Sequence, residues 1–388
     1  MSDTEEKPFL TLTTCRLYAE DVALFRPAQW LNDACISFFF EVLQAAADLY
    51  YSARARPDSQ RLAEGIAHLI VEGVKPFSEN NEEMLRHKLG LCAPASEQSS
   101  NEAAMCSLKS RQEAKLETSP SLGWTNHDNE AHVCSPVLFV DPCVAFLVSM
   151  CCDGDEVQDT LQTLRLPLRS VVVWPLTDHL DSSVSGGTHW TLLIQIACSR
   201  GVEGNTMIQH GCNSTHGPVK PHSRYKFFHF DSLGHKTQRS RGNLAAAQRL
   251  QGLLGRFVKI PTSAESPEIA AHDKPRSTPV PLCCVPPQSN ASDCGVYCLL
   301  FAERLLQLLV RKDREYFKDK TDSGNHRRPN QTASSIEMTA RLLYPEHQFD
   351  LSWLSLPELQ RFDPLVVSTQ RRDALLLANR LARREGLF

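Results

Sequence analysis

No stretch of the 388-residue sequence approaches the roughly 18 consecutive apolar residues needed to span a bilayer, which argues against a membrane protein. The start, Met1-Ser2-Asp3-Thr4-Glu5-Glu6-Lys7, lacks the apolar core of a secretory leader, so a cytoplasmic or nuclear setting is expected. Basic excess is also missing. The 41 Lys and Arg stand against 45 Asp and Glu, for a formal charge of −4, and no nucleic-acid partner is indicated. No repeat of fixed period occurs. The 14 cysteines lack metal spacing: Cys151-Cys152 and Cys283-Cys284 are adjacent pairs, and no CxxC…CxxC or CxxC…HxxxH set is found. In a reducing compartment such thiols stay free, and most of them read as small buried hydrophobes. Neither a metal nor an organic cofactor is implied.

What is present is globular material. Hydrophobic residues make up 42% and charged residues 22%, enough apolar surface for a sizeable core. Thr11 to Tyr18 reads as a short strand. Asp33 to Ala47 reads as a helix, with Ile36, Phe39, Phe40 and Leu43 on one face and Asn32 or Asp33 as its cap. Residues 93–131 turn polar and aperiodic, as a flexible insertion would. Cys143 to Met150 is helix-like. Three strands follow: Ser170–Leu176, His189–Ile196 after a Ser-Gly-Gly turn, and Tyr225–Phe230. Polar inserts are expected at 200–223 and 261–281, and Leu244–Leu254 reads as an amphipathic helix between them. Cys294–Val310 is a buried helix by length and composition, residues 312–335 a further polar insertion, and 336–388 a helical C-terminal extension. Within that extension, Arg371–Arg384 is an amphipathic helix whose five arginines read as a solvated face. The arrangement is one α+β domain over 10–311 with surface insertions and this extension.

The chemistry concentrates at three of these elements. Cys294 opens a long apolar helix, whose positive end favours a thiolate, and Asp293 and Gly295 mark a tight turn into it. Gln288 lies six residues upstream, kept extended by Pro286-Pro287, as a donor for an oxyanion beside the backbone N–H of Cys294. His189 heads one strand and Asp231 ends the next. If these strands pair antiparallel, the carboxylate meets the imidazole, as the orienting member of a triad must. Any one of these residues alone is more often structural. Their joint pattern, in the order His, Asp, Cys, points to a cysteine protease with His189 as base, Asp231 as orienter, Cys294 as nucleophile and Gln288 as oxyanion donor.

The segments WLNDACISFFF (30–40), WPLTDHLDSSVSGGTHWTLLI (174–194), FFHFDS (227–232) and QSNASDCGVY (288–297) resemble those of the Ulp/SENP family, proteases that process and remove ubiquitin-like modifiers. The likeness is strongest to its deneddylase branch. The resemblance implies a papain-like, Ulp-type fold with a central mixed β-sheet packed by helices, acting as a monomer on a modifier and its conjugates. It also implies that Trp30 and Trp190 form a flat tunnel around a Gly-Gly tail, which side-chain-free backbone alone can thread. The bland alternative is that both are core aromatics. By the same resemblance Asp33 contacts the tail, or else it caps its helix. Ser292 departs from the family, which often has an aromatic there, and so leaves a smaller group beside the nucleophile. The expected activity is isopeptidase and C-terminal hydrolase action on a neddylation-type modifier. A SUMO protease shares the four catalytic positions and remains an alternative, as does a catalytically silent modifier-binding module.

Overall fold

The computed structural model describes residues 7–71, 85–86, 88–91, 135–150, 154–178, 189–197, 225–234, 238–257, 280–281, 287–322, 359 and 364–383. The insertions expected at 93–131 and 200–223, and all of 261–281 but its last two residues, lie outside them. The expected strand at Thr11–Tyr18 is instead a small antiparallel ribbon, β1 (Leu10–Thr11) against β2 (Arg16–Leu17). The Glu41 carboxylate accepts from the Thr14 and Cys15 amides, so the chain turns back between them rather than continuing extended. A short helix, α1 (Ala19–Ala23), leads to the long α2 (Asp33–Arg54), and α3 (Gln60–Val71) packs beside it.

Five strands form the main sheet in the order β3 (Val137–Phe139), β4 (Val171–Thr177), β5 (Trp190–Ala197), β6 (Tyr225–Phe230) and β7 (Val280–Pro281). The two outer pairings are parallel and the two inner ones antiparallel, so the sheet is mixed. β7 comes from the end of the expected 261–281 insertion. β4 reads as an unbroken apolar run because both of its faces are covered. Alternate residues feed two cores. Val171, Val173, Trp190, Leu192, Ile194, Phe228 and Phe230 face α2, α3, α7 (Cys294–Asp322) and α8 (Pro364–Arg383). Trp174, Leu176, Leu193, Tyr225 and Phe227 face α4 (Pro142–Met150), α5 (Gly154–Thr163) and α6 (Gln238–Phe257). On the second face the Trp174 indole is satisfied by Gln195 Oε1 at 3.2 Å.

Helix bounds differ from expectation: α2 runs past Ala47 to Arg54, α6 spans Gln238–Phe257 rather than Leu244–Leu254, and the two C-terminal helices differ as well. α7 runs to Asp322, through nearly half of the expected 312–335 insertion. Its polar extension is anchored from one side: the buried Asp313 accepts from the Tyr50 hydroxyl at 2.5 Å and sits 3.4 Å from Arg54, while Arg314 meets Glu64 at 2.9 Å. The α8 helix begins at Pro364, ahead of the expected Arg371, and its first turns are tied to α7 by Gln370 donating to the buried Glu303 at 2.7 Å. No helix among the described residues is long and apolar enough to cross a membrane.

Candidate active site

β5 and β6 pair antiparallel with Leu192 opposite Phe230, so the start of one strand lies at the end of the other. His189 immediately precedes β5 and Asp231 immediately follows β6. Continuing the register puts Asp231 opposite Thr191 and diagonal to His189 on one face, within reach of a long side chain. The contact is made: His189 Nε2 lies 2.7 Å from Asp231 Oδ1, with both side chains essentially buried. The same Asp231 oxygen accepts from the Leu233 amide at 2.9 Å, which fixes the carboxylate. The backbone of His189 is held on both sides, its amide donating to Asp178 Oδ1 and its carbonyl accepting from Asn243 Nδ2 on α6.

Cys294 is the other hydrogen-bonding partner of the His189 ring. Burial alone would push this imidazole down. The Asp231 hydrogen bond, the Cys294 hydrogen bond and the charges of both partners outweigh it, so the pKa is raised from 6.5 to about 9. At neutral pH the ring therefore carries a proton. Five cysteines lie among the described residues, and Cys294 alone of them has this partner. Burial pushes Cys15 and Cys35 up to about 12 and Cys143 to about 11, and holds Cys298, one turn beyond Cys294, well above the usual thiol range. Those thiols are poor nucleophiles.

The turn into α7 is built from side-chain-to-backbone bonds. Asn290 Oδ1 accepts from the amides of Ser292 and Asp293 at 3.0 Å each, and Asn290 Nδ2 donates to Asp293 Oδ2 at 2.7 Å. This Asx-type turn delivers Cys294 to the first position of the helix. Gly295 is needed there for closeness: a Cβ on it would stand 3.0 Å from the Leu31 Cβ. Its bare face therefore meets Leu31. Gln288 is joined to the residue after Asp231. Its amide N–H donates to the Ser232 carbonyl at 2.8 Å and its Oε1 accepts from Ser232 Oγ at 2.6 Å. Its Nε2 donates to the Asn290 carbonyl at 2.6 Å. The dipeptide Asp231-Ser232 thus serves the base through one side chain and Gln288 through the other.

Trp190 and the residue next to Trp30 meet: the Trp190 indole donates to the Leu31 carbonyl at 2.9 Å. Trp190 is 6% exposed and packs in the core, whereas Trp30 is 38% exposed and presents its ring to solvent. Asn32 caps α2, accepting from the Cys35 amide at 3.0 Å and donating to Asp21 at 2.6 Å. Asp33 is the first helical residue, half-buried, and does not serve as the cap.

Sequence reasoning missed Ser232, Asn290, Asn243 and, above all, Arg371. Asn290 had a signal, since Asn followed by Ser and Asp before a helix is turn chemistry. Arg371 was expected on a solvated face and is instead 4% exposed. Its guanidinium donates to Asp293 Oδ1 from Nε (2.9 Å) and Nη2 (2.6 Å), and also reaches the carbonyls of Leu24, Arg26, Gln29 and Ser292. The carbonyl of Ser292, two residues before Cys294, is thereby held from α8.

This geometry agrees with what the chain resembles. The family described as "Ulp1 protease family, C-terminal catalytic domain" matches residues 171–329, a span holding His189, Asp231, Gln288 and Cys294. Residues 171–329 are thus similar to an Ulp1-family catalytic domain. Among curated relatives, the probable sentrin-specific protease 8 of Dictyostelium discoideum is 27% identical over 188 residues, 48% of this chain and 61% of that protein. Sentrin-specific protease 8 of Mus musculus is 26% identical over 189 residues, 49% of this chain and 63% of that one. NEDD8-specific protease 1 of Arabidopsis thaliana is 29% identical over 80 residues, 20% of this chain and 33% of that one. The match spans about three fifths of the length of the sentrin-specific proteases. Arg371 lies beyond the residues matched to the Ulp1 family.

Proposed function

We propose that the chain is a cysteine isopeptidase and C-terminal hydrolase that cleaves after the Gly-Gly tail of a ubiquitin-like modifier, with a neddylation-type modifier as its substrate. The observation that carries this reading is the buried His189–Asp231 pair, 2.7 Å apart, hydrogen-bonded through the same ring to a cysteine at the start of a helix. In this reading the protonated His189 and the Cys294 thiolate form an ion pair. The Cys294 sulfur attacks the carbonyl carbon of the terminal glycine. The developing oxyanion takes the N–H of Cys294 and the Gln288 amide, once Nε2 turns from the Asn290 carbonyl. His189 then gives its proton to the departing amine, leaving a thioester on Cys294. Water, deprotonated by His189, releases the modifier and restores the thiol. The exposed ring of Trp30 and the anchored ring of Trp190 are assigned to the tail, and Asp33 to a contact beside it. Among the relatives, NEDD8-specific protease 1 supports this choice of modifier by its name.

A propargyl-tailed probe panel tests the proposal. The wild-type chain is expected to form a covalent adduct with the neddylation modifier and not with SUMO or ubiquitin. Cys294→Ala should form none while still binding the modifier. An adduct with the SUMO probe alone would move the assignment to a SUMO protease. No adduct with any probe would refute the protease reading and leave a modifier-binding module.

A further inference from the structure

The loop 24–32, which carries Trp30, and the turn 288–293, which carries Cys294 into α7, belong to opposite ends of the sequence that folds around the site. The buried guanidinium of Arg371 touches both. On the first it grips the carbonyls of Leu24 and Arg26 (3.1 Å each) and Gln29 (2.6 Å); on the second, the Ser292 carbonyl (3.1 Å) and the Asp293 carboxylate. Its donors are thus shared between the two walls with no contact left for solvent.

The backbone between the gripped carbonyls is unusual. Ala28 has φ 61°, a left-handed conformation that L-residues with a Cβ avoid, and it lies between Arg26 and Gln29. Such a conformation persists only where its surroundings fix it. Two of the surrounding fixings are the bonds from Arg371. The next residues are Trp30 and Leu31, and the Leu31 carbonyl in turn holds the Trp190 indole. A single side chain on α8 therefore sets where the exposed tryptophan stands relative to the nucleophile turn.

We propose that Arg371 is a positioning residue that clamps the Trp30 loop to the Cys294 turn and so fixes the opening through which the substrate tail must pass. This rests on the proposed protease function for its kinetic consequence, but the clamp is a physical claim independent of it. Lysine cannot replace it: an ammonium is a point charge with three donors, able to keep the Asp293 contact but not a planar grip on two strands of chain.

Arg371→Lys tests this in two ways. Hydrogen exchange should quicken about tenfold or more at residues 24–30 and at 290–293 together, while β4 and β5 keep their protection, which shows that the variant is folded. With a modifier whose tail carries a fluorogenic leaving group, KM should rise about tenfold or more while kcat stays within about threefold, because the opening is altered and the triad is not. Alkylation of Cys294 by iodoacetamide should change by less than about threefold, since a small reagent does not need the tunnel. Faster exchange in one segment but not the other, or an unchanged KM, would overturn the clamp. So would an equal loss of alkylation and modifier cleavage, which would make Arg371 a support of the nucleophile alone. If wild-type protein reacts with no modifier probe, the protease reading fails and the paired exchange result still decides the clamp.

Discussion

The two halves of the candidate site are held in different ways. His189 and Asp231 stand at the ends of paired strands, and their meeting follows from the register of β5 and β6. Once Leu192 faces Phe230, the imidazole and carboxylate have little freedom left. Cys294, Gln288 and Trp30 stand on turns, and no ladder places them. They are fixed instead by Asn290, Ser232 and Arg371, each of which bonds a side chain to backbone or to another side chain across the site. A ladder tolerates the loss of one bond; a turn tied by two or three such bonds does not. The base side of the site is accordingly expected to be stiff and sensitive to chemistry, the nucleophile side adjustable and sensitive to packing.

The largest expected effect is on the stiff side. Asp231→Asn should lower kcat by about a thousandfold, because an amide that donates toward His189 Nε2 selects the wrong tautomer and does not stabilise the imidazolium. The sheet should be undisturbed, since Asp231 lies past the last ladder pair. Single-turnover cleavage with circular dichroism as the control checks both halves of that statement. A variant with near wild-type turnover would mean that the register, not the carboxylate, orients the ring.

The pH dependence of stability is a smaller effect from the same pair. The folded pKa of His189, about 9, lies above its ordinary 6.5, so the native state binds a proton more tightly than the unfolded chain. The stabilisation is fully present below 6.5 and is lost as pH rises through about 9. It amounts to at most about 3 kcal/mol, and part of it belongs to the coupling with Cys294. Urea midpoints should fall over this window in the wild type and much less in Asp231→Asn. Equal slopes in the two proteins would break the link between the pair and the raised imidazole.

The same division explains what could be read from sequence. β4, β5 and β6, the cores of the long helices and the His, Asp and Cys positions were legible because period and turn chemistry act locally, and an antiparallel pairing of neighbouring strands is the commonest way they meet. The ribbon at β1–β2 was not, because its turn depends on Glu41 from α2. The extension of α7 was not, because Asp313 and Arg314 look solvated until Tyr50, Arg54 and Glu64 are beside them. Arg371 had a signal that composition hid. It falls in the buried register of α8, four residues after Val367 and three before Ala374, where a charge must have dedicated partners. Reading the five arginines as one basic face averaged it with neighbours such as the exposed Arg372.

The adjustable side is best probed at Gly295, where the expected effect is smallest and most specific. A methyl group there meets Leu31 Cβ at 3.0 Å and its Cγ and Cδ1 at 3.4 Å, so Leu31 must shift by a few tenths of an ångström. Overpacking of this kind costs about 1–3 kcal/mol, and the better helix propensity of alanine returns up to about 1 kcal/mol, so a net loss near 1 kcal/mol is expected for Gly295→Ala. The kinetic effect should exceed what that loss suggests, because Leu31 carries the carbonyl that anchors Trp190 and adjoins Trp30. KM for the modifier should rise several-fold, by about the amount that one weakened hydrogen bond allows. Trimming the neighbour separates strain from chemistry. In Gly295→Ala combined with Leu31→Gly, which removes the Leu31 Cβ itself, the new methyl has room, and a double-mutant cycle should return a favourable coupling of about 1 kcal/mol. Additive losses would mean that the two walls do not press on each other here, and that Gly295 is kept for the start of α7 alone.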